Sequence, residues 1–287
     1  MHNFKARKDS SIINIRSFHN YIKRELISQS CKYLRDNHEV DDIKLLDLSC
    51  GKGGDLNKFF DNNIMYVIGF DIDGVSINEA NKRYNELINQ LKRKNVRRLP
   101  VYKFYVMDLS DSKNLEKIKG ILNNTKFDIV SCQFAIHYFF KSKDILDTFM
   151  TIVSSYINKN GFFIGTTMNG NKIKELLKKN NNVIQNDIFK IENDTNIVSA
   201  ESSYNNKYIV SLGKETDTDH YFATKPSIEY LVDIDELKNM CNKFNLMSIS
   251  VTEFGNWYIK YGKNILSNNE KEFSFLNFSF VFMPNRM

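Results

Sequence analysis

Gly51, Lys52, Gly53, Gly54 and Asp55 stand together, directly after the apolar run Ile43–Leu48 and before a segment of helical period. A strand that passes through a glycine turn into a helix brings bare backbone N–H groups to a ligand's polar edge, where side chains would block the approach. The spacing departs from the dinucleotide fingerprint GxGxxG, because Leu56 stands where the third glycine belongs. Taken alone, the glycines fit a tight structural turn equally well. Two acids sharpen the reading. Asp71 ends a second apolar run twenty residues after Gly51, where a carboxylate can accept both hydroxyls of a ribose. Asp108 ends a third run and can accept a hydrogen bond from an adenine amino group. Each acid alone also fits a helix cap or a surface carboxylate; together, at consecutive strand ends beside a glycine turn, they favour a bound adenosine. Asp55 stands in the turn where an ammonium or sulfonium group would lie. S-adenosylmethionine offers a ribose, an adenine and two cationic centres without phosphate, and suits a carboxylate in the turn better than NAD does.

These residues need elements to hold them. Ile43–Leu48, Met65–Asp71, Val101–Met107, Phe127–Gln133 and Phe162–Thr167 read as successive strands, alternating with helical-period segments as far as Lys179, the pattern of βα units in a mostly parallel sheet. In Ser76–Lys94, residues Ile77, Ala80, Tyr84, Leu87, Ile88 and Leu91 recur at helical spacing, with a charged opposite face. Ahead of the first strand, Ser17–Leu34 reads as an amphipathic helix. After Lys179 the chain turns to Asn-rich loops and β-like runs such as Lys207–Leu212, which fit antiparallel hairpins. A helix near Ile234–Phe244, a strand near Leu246–Phe254 and the alternating aromatic run Glu272–Phe282 would complete the sheet. The expected organisation is one α/β domain over 1–287: an N-terminal helical extension (1–40), a cofactor-binding core (41–180), a β-rich insertion or lid (181–232) and a C-terminal completion of the sheet (233–287).

Composition narrows the class. The 42% apolar and 26% charged residues are those of a soluble globular chain, and no run approaches the ~20 apolar residues of a membrane span, so no membrane partner is expected. Residues 1–10, MHNFKARKDS, carry charge with no apolar run behind them, so no secretory signal is read. Cys31, Cys50, Cys132 and Cys241 are far apart and form no CxxC pair, which predicts neither a metal site nor a disulfide framework and fits a reducing compartment. The net charge of +6 favours an anionic ligand without resembling a histone-like binder. The densest basic run, Leu91–Arg98, reads either as a solvated helix end or as a path for downstream RNA phosphates.

The chain resembles the mRNA cap guanine-N7 methyltransferases. The resemblance rests on RSFHNYIKRELI (Arg16–Ile27), LLDLSCGKGGDLNKF (Leu45–Phe59), GFDIDGVSINEANKRY (Gly69–Tyr84), FDIVSCQFAIHYFF (Phe127–Phe140) and FFIGTTMNGNKI (Phe162–Ile173), with a weaker match in Glu229–Leu246. These blocks come in the family's order. The glycine block is shared loosely by many methyltransferases, whereas CQFAIHY and HNYIK are far more selective. Ser49 replaces the glycine that often begins the block, Phe59 stands for a usual tryptophan, and Met168 follows GTT where a proline is common. A tyrosine near the family's C-terminus commonly helps hold the cap; here that run reads FLNFSFVF.

The resemblance implies a class I (Rossmann-like) methyltransferase fold and methyl transfer from S-adenosylmethionine to N7 of the terminal guanine of GpppN-capped RNA, leaving S-adenosylhomocysteine and needing no metal. Carried over by position, it implies Lys23, Gly51, Asp55, Asp71, Asp108 and Gln133 for the cofactor, and Asn20, Lys52, Phe134, His137, Tyr138 and Glu229 for the cap. Guanine N7 keeps an in-plane lone pair, so no obligatory general base is expected; His137, Tyr138 and Glu229 would orient. As residues alone, His137 also fits an ordinary buried histidine, Glu229 a solvent-facing helix carboxylate, Phe134 and Tyr138 core aromatics, and Lys52 a solvated loop lysine. The partners implied are capped RNA and other capping-enzyme domains or subunits. The compartment is the nucleus for a cellular enzyme and the cytoplasm for one from a large DNA virus. Another class I methyltransferase, a catalytically silent stimulatory subunit and a Rossmann dehydrogenase are the alternatives.

Overall fold

The computed structural model describes residues 10–194, 202–213 and 226–285. Parts of the N-terminal extension and of the insertion expected at 181–232 lie outside these residues.

The chain enters through α1 (Ile13–His38), whose Ile15, Phe18, Ile22 and Leu26 recur every three or four residues and are buried against the sheet. There follow β1 (Lys44–Leu48), α2 (Leu56–Asp61), β2 (Tyr66–Asp71), α3 (Gly74–Arg93), β3 (Val101–Val106), α4 (Leu115–Leu122) and β4 (Phe127–Gln133). A 3-10 turn over Ile136–Lys141 leads into α5 (Lys143–Tyr156) and β5 (Ile157–Met168). After α6 (Gly170–Lys179) the chain forms β6 (Val183–Gln185), β7 (Phe189–Asn193), β8 (Lys207–Leu212) and β9 (Ser227–Tyr230). It then makes α7 (Ile234–Lys243), β10 (Leu246–Glu253), α8 (Phe254–Tyr261), α9 (Asn268–Ser274) and β11 (Asn277–Pro284).

The main sheet has the order β10-β11-β5-β4-β1-β2-β3. β1 pairs in parallel with both β2 and β4, while β11 runs antiparallel between β5 and β10. Strand order therefore reverses beside β1, and the crevice outside the carboxyl ends of β1 and β4 is where such sheets receive ligands. One buried apolar cluster joins α1 and α3 to the sheet and continues into β7 and β8; another joins α5 and α7 to the opposite face. The smaller sheet, β6-β7-β8-β9, is antiparallel throughout.

The expected parallel core is present, as is an antiparallel sheet in the later half. One local expectation differs. The run Glu272–Phe282 is not one strand: a Ser267 N-cap, joined reciprocally to Glu270, starts α9, and only Asn277 onward is extended. The stretch after Phe254 is helical, and its Trp257 donates from Nε1 to Ser279 Oγ at 2.8 Å. The basic run Lys92–Arg98 begins in the last turn of α3 and continues past its C-terminal end; that helix begins at the ligand crevice and spans about 30 Å at 1.5 Å per residue. The run therefore lies at the far end of the sheet, exposed, with Arg98 paired to Asp42, and reads as a solvated helix end.

Candidate functional site

At the carboxyl ends of β1, β2 and β4 lies a cavity of about 750 Å³. Its cofactor-like wall is built by the turn between β1 and α2. Gly51 and Gly53 adopt φ of +52° and +67°, the left-handed region that glycine enters freely, and a Cβ on Gly54 would meet open space. Ser49 sits at φ +72°, where its own Cβ costs about 1–2 kcal/mol. The turn is tied to β2: the Gly51 N–H donates to Asp71 Oδ2 at 2.7 Å, and the Asp73 N–H donates to Asp71 Oδ1 at 2.9 Å. Asp71 thus fixes the glycine turn as well as lining the cavity.

Asp55 does not stand free in the turn to receive a cation, as the sequence had led us to expect. Lys23 from α1 donates to its Oδ2 at 3.0 Å, and Lys58, one helical turn on, donates to its Oδ1 at 2.7 Å. Burial opposes ionisation of this carboxyl, but the two ammonium groups outweigh it and hold the pKa at about 2. Lys58, only 5% exposed, also donates to Asn20 Oδ1 at 2.8 Å. The cluster therefore carries one more positive than negative charge. Asp108 lies just past the end of β3 with its Oδ1 taken by the Ser110 N–H and hydroxyl, and it is not among the residues lining the cavity. Gln133 does line it, held by donation from Thr166 Oγ1 to its Oε1 at 3.0 Å.

The other wall comes from the turn after β4 and from the smaller sheet. Phe134, at φ +54°, lies parallel to the His19 ring, centroids 5.2 Å apart. Burial and then the Lys23 charge keep His19 neutral, with a pKa of about 3. His137 is 4% exposed and its Nε2 has no hydrogen-bond partner, although it lies 3.8 Å from Glu229 Oε1. Burial lowers the His137 pKa and the nearby carboxylate raises it, with burial dominant, so the ring is neutral. Glu229 is a strand residue of β9, 7% exposed, and not the solvent-facing helix carboxylate its sequence context allowed. Tyr208 from β8 donates to Glu229 Oε2 at 2.6 Å. Tyr138 packs on His137 with its ring 46% exposed, and Lys52 and Asn20 line the same cavity.

Eleven of the twelve site residues expected from sequence thus border one cavity, and Asp108 does not. Sequence reasoning missed Asp47, Lys58, His19 and Tyr208. Asp47 carried a legible signal, an acid inside an apolar strand. Lys58 carried another, a base three residues after Asp55 on a helix face. Tyr208 had none, because its partner is known only once β8 pairs with β9.

Comparison with known proteins gives the family. Solved structures show the fold: an S-adenosylmethionine-dependent methyltransferase from Clostridium acetobutylicum superposes with a TM-score of 0.53 at 16% identity, over 93% of this chain and 98% of that one. The CcbJ methyltransferase from Streptomyces caelestis does so at 0.55 and 13%, over 90% and 89%. Among curated proteins, the mRNA cap guanine-N(7) methyltransferase of Caenorhabditis elegans is 30% identical over 233 residues, covering 80% of this chain and 59% of that protein. The enzyme of the same name from Schizosaccharomyces pombe is 31% identical over 258 residues, covering 88% and 64%. The "Probable mRNA-capping enzyme" of Acanthamoeba polyphaga mimivirus is 26% identical over 96% of this chain, which spans 24% of it. The chain thus spans about six-tenths of the two cellular relatives and a quarter of the viral one. The sequence profile of the mRNA (guanine-N(7))-methyltransferase domain matches residues 1–276, and the chain belongs to that family.

Proposed function

We propose that this chain transfers a methyl group from S-adenosylmethionine to N7 of the terminal guanine of GpppN-capped RNA. The observation that carries the reading is the single cavity in which a glycine turn faces a buried, unpartnered His137 Nε2 beside Glu229. The cofactor fits the turn side: backbone is bare at Gly51 and Gly54, the wall is rich in carboxyls, and Asp71 ends β2 in the position of a ribose acceptor. Gly51, Asp71, Gln133 and Lys23 would hold it. Its sulfonium supplies the electrophilic methyl.

The chain's own residues supply placement. Glu229 can accept from guanine N1–H and the exocyclic amine, and its charge favours the cation that N7 methylation leaves on the ring. A neutral His137 can donate from Nε2 to the guanine edge without taking a proton from it. Phe134 and the half-exposed Tyr138 offer ring faces, and Lys52 of the glycine turn, which lines the same cavity, would meet the cap phosphates. Because N7 attacks with a lone pair already in plane, the site needs no base; holding reactants aligned can supply roughly 7–11 kcal/mol. The match to a mimiviral capping protein favours capped RNA made by companion capping activities, on the same or a separate polypeptide, as the natural substrate. An RNA substrate places the chain inside the cell, in the nucleus for a cellular source and the cytoplasm for a viral one.

The test is transfer of radiolabelled methyl from S-adenosylmethionine to GpppA-capped RNA, with the same RNA already N7-methylated as control. Label on the first alone is expected. Label on both would move the acceptor elsewhere, and label on neither would leave another substrate or a missing partner.

Tyr208 should act through Glu229. Tyr208→Phe removes the donor at 2.6 Å from Oε2, at a cost near 1 kcal/mol. Steady-state kinetics should show the KM for capped RNA up by about fivefold, with affinity for S-adenosylhomocysteine unchanged. A weakened cofactor affinity instead would mean that Tyr208 shapes the whole cavity.

A further inference from the structure

Lys58 of α2 is 5% exposed and is not among the residues bordering the cavity, yet it touches both the glycine turn and α1. Beside the Asp55 carboxylate it is an ammonium, with three N–H donors and no acceptor. It donates to Asp55 Oδ1 at 2.7 Å, to Asn20 Oδ1 of α1 at 2.8 Å and, more weakly, to the Gly54 carbonyl at 3.4 Å. All three donors are spent inside the protein, and Lys58 has none to offer a ligand.

The bond to Asn20 decides how that side chain is turned. Because Lys58 can only donate, the atom facing it is the amide oxygen; the opposite rotamer would set two N–H groups against an ammonium. Asn20 is exposed and lines the cavity, and its Nδ2 makes no hydrogen bond among the described residues. Lys23, one helical turn further along α1, is engaged as well, donating to Asp55 Oδ2 at 3.0 Å. Two lysines against one carboxylate leave this corner of the cavity net positive, which favours an anionic oxygen.

We propose that Lys58 is a positioning residue: it fixes the Asn20 amide so that Nδ2 faces the cavity, where Nδ2 donates to a phosphate oxygen of the cap's triphosphate bridge. The inference rests on the reading of this cavity as a cap methyltransferase site, and adds the polarity of one contact and the buried group that sets it. The cofactor's own carboxylate is the other anion such a donor would suit, and affinity for S-adenosylhomocysteine separates the two. Lys58 itself touches neither ligand.

The experiment is steady-state methyl transfer to GpppA-capped RNA, with S-adenosylhomocysteine affinity measured by calorimetry, in wild type, Asn20→Ala, Asn20→Asp, Lys58→Met and the double variant Lys58→Met with Asn20→Ala. Asn20→Ala should raise KM about tenfold. Asn20→Asp keeps an acceptor for Lys58 but turns a charged oxygen towards the phosphate, and should raise KM about 100-fold. Lys58→Met frees the amide to rotate and should raise KM about fivefold; the double variant should be no worse than Asn20→Ala, because both changes remove one contact. In every variant kcat and S-adenosylhomocysteine affinity should stay within about twofold of wild type. A KM for Asn20→Asp no higher than that for Asn20→Ala would show that this amide presents its acceptor to the ligand, and would overturn the proposal. Multiplied losses in the double variant would reduce Lys58 to a structural role and overturn it too, as would a loss confined to cofactor affinity. Both Asn20 variants change an exposed side chain, so their ranking decides even where Lys58→Met fails to fold. No methyl transfer by wild type would instead remove the cap reading, and the proposal with it.

Discussion

Glu229→Gln is expected to lower kcat/KM for capped RNA by about 100-fold while leaving the fold and the affinity for S-adenosylhomocysteine unchanged, a loss of roughly 3 kcal/mol. The side chain keeps its volume and can still accept the Tyr208 hydroxyl, which reaches Oε2 at 2.6 Å. What disappears is the negative charge, and with it the better acceptor for guanine N1–H and the exocyclic amine. The neighbouring His137 is neutral, so no buried ion pair breaks and thermal stability should hold. The loss should fall on kcat as well as KM, because positive charge on guanine grows as N7 is methylated. Wild-type turnover by this variant would take Glu229 out of the cap pocket. Loss of cofactor affinity would place it on the wrong wall.

Asp55→Asn should have the largest effect on stability. In the folded chain one carboxylate holds two ammonium groups, at 3.0 Å from Lys23 and 2.7 Å from Lys58, and Lys58 is 5% exposed. An amide in its place leaves two like charges together without the carboxylate that bonds both, which costs about 3–5 kcal/mol, or roughly 6–15 °C in Tm at pH 7. Acid should narrow the difference by about 2 kcal/mol. The folded pKa of Asp55 is about 2, below the ordinary carboxylate value of 3.8, so the unfolded chain binds the proton more readily. The stabilisation of about 2 kcal/mol linked to this shift is complete above pH 4 and is lost as pH falls towards 2. Thermal melts of wild type and variant at pH 7, 4 and 2.5 would check this. A gap that stays constant with pH, or an absent one, would show that the lysines find other partners.

The sequence was informative wherever local pattern and buried face coincide. β4 is bounded at Phe127 and Gln133 as its apolar run implies, because both faces of that strand are covered from Phe127 to Cys132. β5 was underestimated: its first residues, Ile157–Gly161, are mostly polar, yet they continue the strand, and Asn158 donates to Asp128 Oδ1 at 2.9 Å. The aromatic alternation of Glu272–Phe282 hid a helix whose start was written in the capping residues Ser267 and Glu270. The site followed the same rule. Gly51 and Asp71 are neighbours through a regular strand–turn–helix unit and could be read from spacing. The neutralisation of Asp55 depends on Lys23, 32 residues upstream on a separate helix, and no local pattern contains it. Asp108 shows the complementary case, a strand-end acid whose Oδ1 is taken by donors from its own turn.

One feature of the main sheet bears on how the chain is made. β11 follows β10 in the sequence, yet it lies between β5 and β10, with Phe278, Phe280 and Phe282 fully buried. During translation β1 to β5 emerge first, and β10 cannot dock on β5 because the strand that separates them does not yet exist. At roughly 5–20 residues per second, the apolar edge Phe162–Met168 therefore waits several seconds without its hydrogen-bonding partner. Such an edge is a template for pairing with other chains. A fragment cut at residue 276, the limit of the family match, would carry that open edge permanently, and would be lost to aggregation with both walls of the cavity already encoded.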